Sequence, residues 1–270
     1  MAGPKVSSNK AKIARRVVEV LEYFDDNHRE ATVMDIVRRY NRPQSSTSEL
    51  LSSLVELGLL YKDPYSRSYN LAPRAALLGV ASQSGMVRDG GLVRLIDRLV
   101  AQTGLAVAVY GMVGLNAQIV SWRASSRGNA ASTRGLFGGL QDPLYGSAAG
   151  WLLLSTIAQP RAEGVVRRLN AEAPDDRKFS TAVLNQRVQQ CRESGYALGP
   201  AGFDTNAETL TVLLPDNGGG HRLAVGFVFG PEARVQPEAL LECLRAAVSN
   251  CLEPAGAEPA AVELLHPAAA

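Results

Sequence analysis

Apolar residues recur at Ile13, Val17, Val20, Leu21 and Phe24 with helical spacing, which predicts an amphipathic first helix over residues 10–25. Asp25-Asp26-Asn27 ends it. Thr32, with Asp35 three positions on, has the form of a capping box, and Val33, Ile36, Val37 and Tyr40 supply one face of a second helix. Asn41-Arg42-Pro43 breaks that helix, because the residue before a proline is disfavoured in the helical region. A third helix carries Leu50, Leu51, Leu54, Val55 and Leu57 and stops at Gly58, the residue best able to take a left-handed C-terminal conformation. Leu59–Lys62 and Ser68–Leu71 then read as strands around the turn Asp63-Pro64-Tyr65-Ser66-Arg67. Short helices followed by a hairpin with Lys62 and Arg67 near its tip are the arrangement of a winged helix-turn-helix.

The pattern changes after residue 72. A helical stretch from Ala75 to about Ser84, then Gly85 and Asp89-Gly90-Gly91, predicts a connecting helix that ends in a flexible joint. Leu92, Leu95, Ile96, Leu99 and Val100 form another helical face. Leu105–Tyr110 and Ala117–Trp122 read as strands joined by a glycine-bearing turn, and a glycine-rich loop, Arg134–Leu140, leads to a helix near 147–158. Helical segments follow near 161–171 and 180–194, then strands Leu210–Leu214 and Leu223–Phe229 around Asp216-Asn217-Gly218-Gly219-Gly220. A final helix over about 237–251 precedes a Pro/Ala-rich tail of disordered composition. The fold class is α+β: a winged helix-turn-helix at 9–72, a linker helix and joint at 73–90, a mainly antiparallel domain at 91–252 and a tail at 253–270.

Composition narrows the chemistry. With 270 residues, 46% hydrophobic, the chain can bury a sizeable core. Its charges nearly cancel, but the surplus of positive charge lies in the first 75 residues, the segment expected to face DNA. Cys191, Cys243 and Cys251 show no metal-ligand spacing and read as structural thiols of a reducing, cytoplasmic interior. No secretory signal is expected from MAGPKVSSNKAK, and no membrane partner: the uncharged run Leu99–Trp122 is punctuated by Gln102, Gly104, Gly111, Gly114, Asn116 and Gln118 and reads as a hairpin. A second uncharged run, Pro143–Pro160, reads as a buried helix with its approach loop. His28, His221 and His266 have no nucleophile or metal partner nearby in sequence, and nucleophile-elbow, P-loop and dinucleotide fingerprints are absent, so no catalytic residue, metal or cofactor is assigned. The glycines of Arg134–Leu140 can cradle a small anion or simply form a loop.

In a helix-turn-helix the N-terminal residues of the second helix face base edges. Here these are Gln44, Ser45, Ser46, Thr47 and Ser48; Gln44 suits adenine, and Ser46 with Glu49 also fits a second capping box. Arg38, Arg39, Arg42, Lys62 and Arg67 are the candidate phosphate contacts.

The run Pro43-Gln44-Ser45-Ser46, then Leu50-Leu51-x-x-Leu54-Val55-Glu56-Leu57-Gly58-Leu59-Leu60, Asp63-Pro64 and Tyr69-Asn70-Leu71, resembles the recognition helix and wing of isocitrate-lyase-regulator (IclR) type bacterial transcription factors. Gly139-x-x-x-Pro143-Leu144-Tyr145-x-Ser147-Ala148-x-Gly150 is similar to that family's segment beside the effector pocket, and Gly195-Tyr196, Leu213-Leu214-Pro215 and Gly226–Pro231 follow in its order. The resemblance implies a homodimer, often a homotetramer, binding a near-palindromic double-stranded DNA site, with a GAF-like effector domain that takes a small metabolite. It assigns effector contacts to Gly139, Tyr145, Ser147, Ala148, Leu213, Phe227 and Phe229. The chain departs from the family at Gln44 and Glu49, where basic residues are usual, at Tyr145 for histidine and at Trp151 for lysine. A carboxylate at Glu49 repels phosphates unless it turns back to cap its own helix. Phe227 and Phe229 imply a larger or more apolar effector, aromatic in character, hydrogen-bonded by Tyr145 or Ser147. The rival readings are a metabolite-converting enzyme with an attached DNA-binding module and a ligand-independent DNA-binding protein.

Overall fold

The capping box at Thr32 forms as its spacing requires: the Asp35 N–H donates to Thr32 Oγ1 at 3.4 Å and the Thr32 N–H donates to the Asp35 carboxylate at 2.8 Å. It opens the second helix in a computed structural model that describes residues 9–25, 28–78, 87, 89–125, 131–216 and 222–252. The chain divides into two units, Met1–Ser82 and Gln83–Ala270. In the first unit, helices α1 (Asn9–Tyr23), α2 (Val33–Tyr40) and α3 (Gln44–Glu56) precede a hairpin of β1 (Leu60–Lys62) and β2 (Tyr69–Leu71), then a short helix α4 (Pro73–Leu77). Asn41 ends α2 in the left-handed region, and Gly58, at φ +69°, turns the chain from α3 into the hairpin. Val20, Ile36, Leu51, Leu54, Leu60 and Tyr69 form the core. Ala31 adds a bridge to the hairpin, exchanging backbone hydrogen bonds with Tyr69 at 2.9 and 2.8 Å, a pairing with no periodic signature. In the expected connecting helix α4 ends at Leu77 and Leu78 is extended, and residues 79–86 of that expectation lie outside the described residues. Gly85 of the predicted joint, the glycines of the 217–220 turn, His221 and the 253–270 tail with His266 lie outside the described residues.

In the second unit, α5 (Gly91–Thr103) leads into the hairpin β3 (Ala106–Val113) and β4 (Asn116–Arg123). After β5 (Gln141–Pro143) come helices α6 (Ala148–Ser155), α7 (Arg161–Glu172) and α8 (Thr181–Ser194). Strands β6 (Tyr196–Pro200), β7 (Glu208–Leu213) and β8 (Leu223–Phe229) and helix α9 (Pro237–Leu252) complete it. The strands form one six-stranded antiparallel sheet in the order β5-β4-β3-β8-β7-β6. Leu99–Trp122 is the end of α5 plus the β3–β4 hairpin, and among the described residues no helix is long and apolar enough to cross a membrane.

Strand alternation sends two different sets of side chains to the two faces. Val107, Val109, Leu210, Val212, Val225, Phe227 and Phe229 pack with Leu95, Leu99 and Leu244 of α5 and α9. Ala106, Ala108, Tyr110, Ala224 and Val228 pack on the other side with Leu152, Leu153, Val166, Leu184 and Val188 of α6, α7 and α8. Each large aliphatic or aromatic side chain so removed from water contributes roughly 1.5–3 kcal/mol. Helix α6 is buried along its whole length, which explains why Pro143–Pro160 carries no charge.

Candidate nucleic-acid interface and ligand site

Pro43 ends the α2–α3 turn and begins α3 without a side-chain cap. The second capping box is absent: Ser46 lies inside the first turn of α3, and its hydroxyl donates to the Pro43 carbonyl at 3.3 Å while accepting from Arg16 at 3.1 Å. Thr47 is 1% exposed and donates to the same carbonyl at 2.8 Å, so its side chain closes the turn from inside and does not face outward. Arg42 is likewise engaged. Its guanidinium meets both Glu19 oxygens at 3.1–3.2 Å and ties the α2–α3 turn to α1. Gln44 and Ser45 are exposed and Ser48 half-exposed on the outer side of α3; Arg38 and Arg39 are exposed on the last turn of α2. Lys62 lies 5.4 Å over the Tyr69 ring, and Arg67 occupies the hairpin turn at φ 58°. The Asp63 carboxylate shapes that turn by accepting from the N–H groups of Tyr65 and Ser66, and these bonds hold its pKa below the usual value. The unit therefore presents Gln44, Ser45, Ser48, Arg38, Arg39, Lys62 and Arg67, keeps Arg42 at the surface in its pair with Glu19, and withdraws Thr47. Arg16, which reaches the first turn of α3, had only a helical position to mark it in the sequence.

In the second unit, the segment into α6 gathers four of the expected effector residues in one stretch of chain. Gly139, at φ +89°, donates its N–H to the Ile119 carbonyl at 2.7 Å and so joins the glycine loop to β4. Ser147 is buried and caps α6, accepting from the Gly150 N–H at 3.1 Å; Ala148 sits in the core. Tyr145 stacks on Phe179 at 4.6 Å, its carbonyl accepts from Trp151 Nε1 at 2.8 Å, and its hydroxyl is buried without a partner. Beside it lies a cavity of about 250 Å³ lined by Tyr145, Phe179, Ser180, Val183, Leu184 and Arg187. Leu213 packs on this side of the sheet. Phe227 and Phe229 do not: odd positions of β8 face α5 and α9, so the sheet separates both rings from Tyr145. Their selection as effector residues is corrected by the register of one strand.

Reading along the sequence also missed what the fold brings to Tyr145. The Asp142 carboxyl sits against the backbones of Gly146 and Gly202; a Cβ on either would lie 2.6–2.7 Å from its Oδ2. Burial raises its pKa, opposed by a hydrogen bond from the Phe203 N–H. Burial likewise raises the Tyr145 phenol, against the nearby Arg177 cation, which pairs with Asp204 at 3.1 Å. Phe203 stacks on the buried Tyr110, whose hydroxyl lies 3.4 Å from Thr209 Oγ1. Farther along the same face of α8, a larger groove of about 820 Å³ runs between that helix and β6, with Arg187 4.3 Å over the Trp151 ring. Burial pushes the Cys191 thiol up to about 11, which keeps it protonated and inert. Among the described residues no group of three His, Cys, Asp or Glu side chains could hold a metal ion.

Comparison with known proteins bears on both units. A family model described as the IclR helix-turn-helix domain matches residues 14–64. No curated protein matches the chain. Among solved structures, an IclR transcriptional regulator from Alicyclobacillus acidocaldarius is 20% identical with a TM-score of 0.56, covering 90% of this chain and 97% of that one. An IclR homolog from Microbacterium hydrocarbonoxydans, complexed with 4-hydroxybenzoate, is 17% identical with a TM-score of 0.57, over 88% of this chain and 98% of that one. The effector domain of an IclR regulator from Acinetobacter sp. ADP1 is 24% identical with a TM-score of 0.54, over 61% of this chain and 95% of that one. At these identities the likeness shows a shared fold.

Proposed function

Because residues 14–64 form an IclR-type helix-turn-helix domain in a chain with the fold of IclR regulators, we propose that this protein is a transcriptional regulator whose DNA binding responds to a small metabolite. The observation that carries the reading is the pairing, in one chain, of that DNA-binding unit with a second unit holding an apolar cavity and an unpartnered buried hydroxyl at Tyr145. The ligand has a flat apolar body against Phe179, Val183 and Leu184, with one polar group for Tyr145 and another for Arg187. A phenolic or aromatic acid answers that description, and the homolog holding 4-hydroxybenzoate supports the class. The effector acts by binding one arrangement of paired DNA-reading units better than another. Homodimers, and tetramers built from them, would set two α3 helices on half-sites about one helical turn apart, which makes the site near-palindromic. A cytoplasmic location follows from that role.

Thermal unfolding with 4-hydroxybenzoate, benzoate, acetate and oxalate tests the ligand class. Stabilisation by the aromatic acids is the expected outcome; stabilisation by the short acids alone would overturn the aromatic assignment.

A further inference from the structure

Helix α3 turns Thr47, Leu51 and Leu54 into the core. With 100° per residue, the opposite stripe is then Ser45, Glu49, Ser52 and Glu56, and all four are exposed. No Lys or Arg occurs in α3, so its outer face offers hydroxyls and carboxylates to whatever it docks against. Glu49 lies in the second turn. It is not bent back as a cap, since α3 starts at Pro43 with no side-chain cap and Ser46 is occupied by Pro43 and Arg16. Its backbone carbonyl accepts from Ser53 Oγ at 3.0 Å, which holds the turn and leaves the carboxylate on the exposed stripe.

A carboxylate in the major groove is unfavourable beside phosphates unless it accepts a hydrogen bond from a base. Only the amino groups of cytosine and adenine donate there. Adenine sets its amino group beside the N7 lone pair, which repels a carboxylate and suits an amide such as Gln44. Cytosine has only carbon next to its amino group on the groove edge. We propose that Glu49 is a specificity-determining residue that reads a cytosine 4-amino group in each half-site, so that this chain selects DNA through an acceptor where basic side chains usually read guanine. This rests on the DNA-binding reading of α3.

The test selects duplexes from a random pool with the full chain and with its Glu49→Ala and Glu49→Gln variants, both exposed changes whose melting temperatures check the fold. The wild-type chain is expected to enrich a site with one fixed cytosine per half-site. Removing only that base's 4-amino group, with 2-pyrimidinone in its place, weakens wild-type binding roughly tenfold. Glu49→Ala is expected to bind parent and amino-deleted duplexes equally, and Glu49→Gln to shift the preference toward adenine. If Glu49→Ala instead gains affinity for selected and scrambled duplexes alike, the carboxylate is a repulsive bystander and the assignment is overturned. The same base preferences in wild type and Glu49→Ala would also overturn it. If the wild-type chain enriches no site, the DNA-binding reading fails and the assignment falls with it.

Discussion

The two faces of the six-stranded sheet carry different chemistry. Toward α5 and α9 the fully buried strand side chains are aliphatic and phenyl groups, from Val107 to Phe229, with Tyr196, Ser121 and Arg123 at the margins of that face. Toward α6, α7 and α8 they send alanines, Ile119, Val228, Tyr110 and the buried hydroxyls of Thr209 and Thr211. A face made only for packing has no reason to bury hydroxyls, each of which must find a partner or cost stability. Thr209 finds the Phe227 carbonyl at 2.9 Å, but Tyr145 Oη and Thr211 Oγ1 are left unpartnered. The first face packs the domain, and in the proposed function the unpartnered Tyr145 hydroxyl of the second is the group that would meet a ligand.

Substitutions can break that contrast. Phe227→Ala on the apolar face is expected to cost about 3–5 kcal/mol, read as a lower denaturant midpoint for the C-terminal unit, and to leave ligand contacts intact in the protein that remains folded. Gly150→Ala on the mixed face is expected to cost about 3 kcal/mol, because its Cβ would run into the Leu144 carbonyl where the chain enters α6. Thr32→Ala, which opens the capping box of α2, is expected to cost about 1 kcal/mol in the N-terminal unit alone. Tyr145→Phe removes a hydroxyl with no partner, so stability should hold within about 0.5 kcal/mol while the thermal shift with 4-hydroxybenzoate is lost.

The smallest effect separates the units by pH. Hydrogen bonds from the Thr32 hydroxyl and N–H lower the Asp35 pKa, so its contribution is present above the unfolded-state value and is lost as pH falls through the folded one. Burial raises Asp142, so its contribution is full below the unfolded-state value and is lost as pH rises through the folded one. Asp35→Asn and Asp142→Asn should therefore change the slope of stability against pH, between about 3 and 6, with opposite signs. Parallel slopes in the two variants would contradict these environments.

Periodicity and turn chemistry exposed nearly all the helices, the wing hairpin and four of the six sheet strands, because each buries a face long enough to repeat. They did not expose β5, three residues long, or β6, whose Tyr-Ala-Leu-Gly-Pro ends in glycine and proline. Such an edge strand owes its place to its neighbour. Ser194 Oγ donates to the Tyr196 carbonyl at 2.9 Å and Pro200 has no N–H to offer, so β6 is also protected from pairing further. The interface on α3 was legible in outline, since a turn followed by a helix brings Gln44, Ser45 and Ser48 out together. Thr47 was misplaced there because its partner, the Pro43 carbonyl, is fixed only by the fold, as is the Glu19 carboxylate that engages Arg42. Of the proposed ligand site, Tyr145 was legible from the segment that enters α6, while Ser147 of the same segment is a buried helix cap. Asp142 on β5, Arg177 and Phe179 between α7 and α8, and Phe203 between β6 and β7 come from three separate segments whose meeting no spacing encodes. Phe227 and Phe229 failed on parity alone, since the side a strand residue faces is known only once the register is.

The central claim is best tested by one measurement: the affinity of the full chain for its selected duplex against a scrambled duplex, across a salt series, with and without 4-hydroxybenzoate. The account predicts a preference of at least roughly a thousandfold that persists as salt rises, and a change in affinity for the selected duplex when the aromatic acid is present. Equal affinities that fall together with salt, indifferent to the acid, would contradict it.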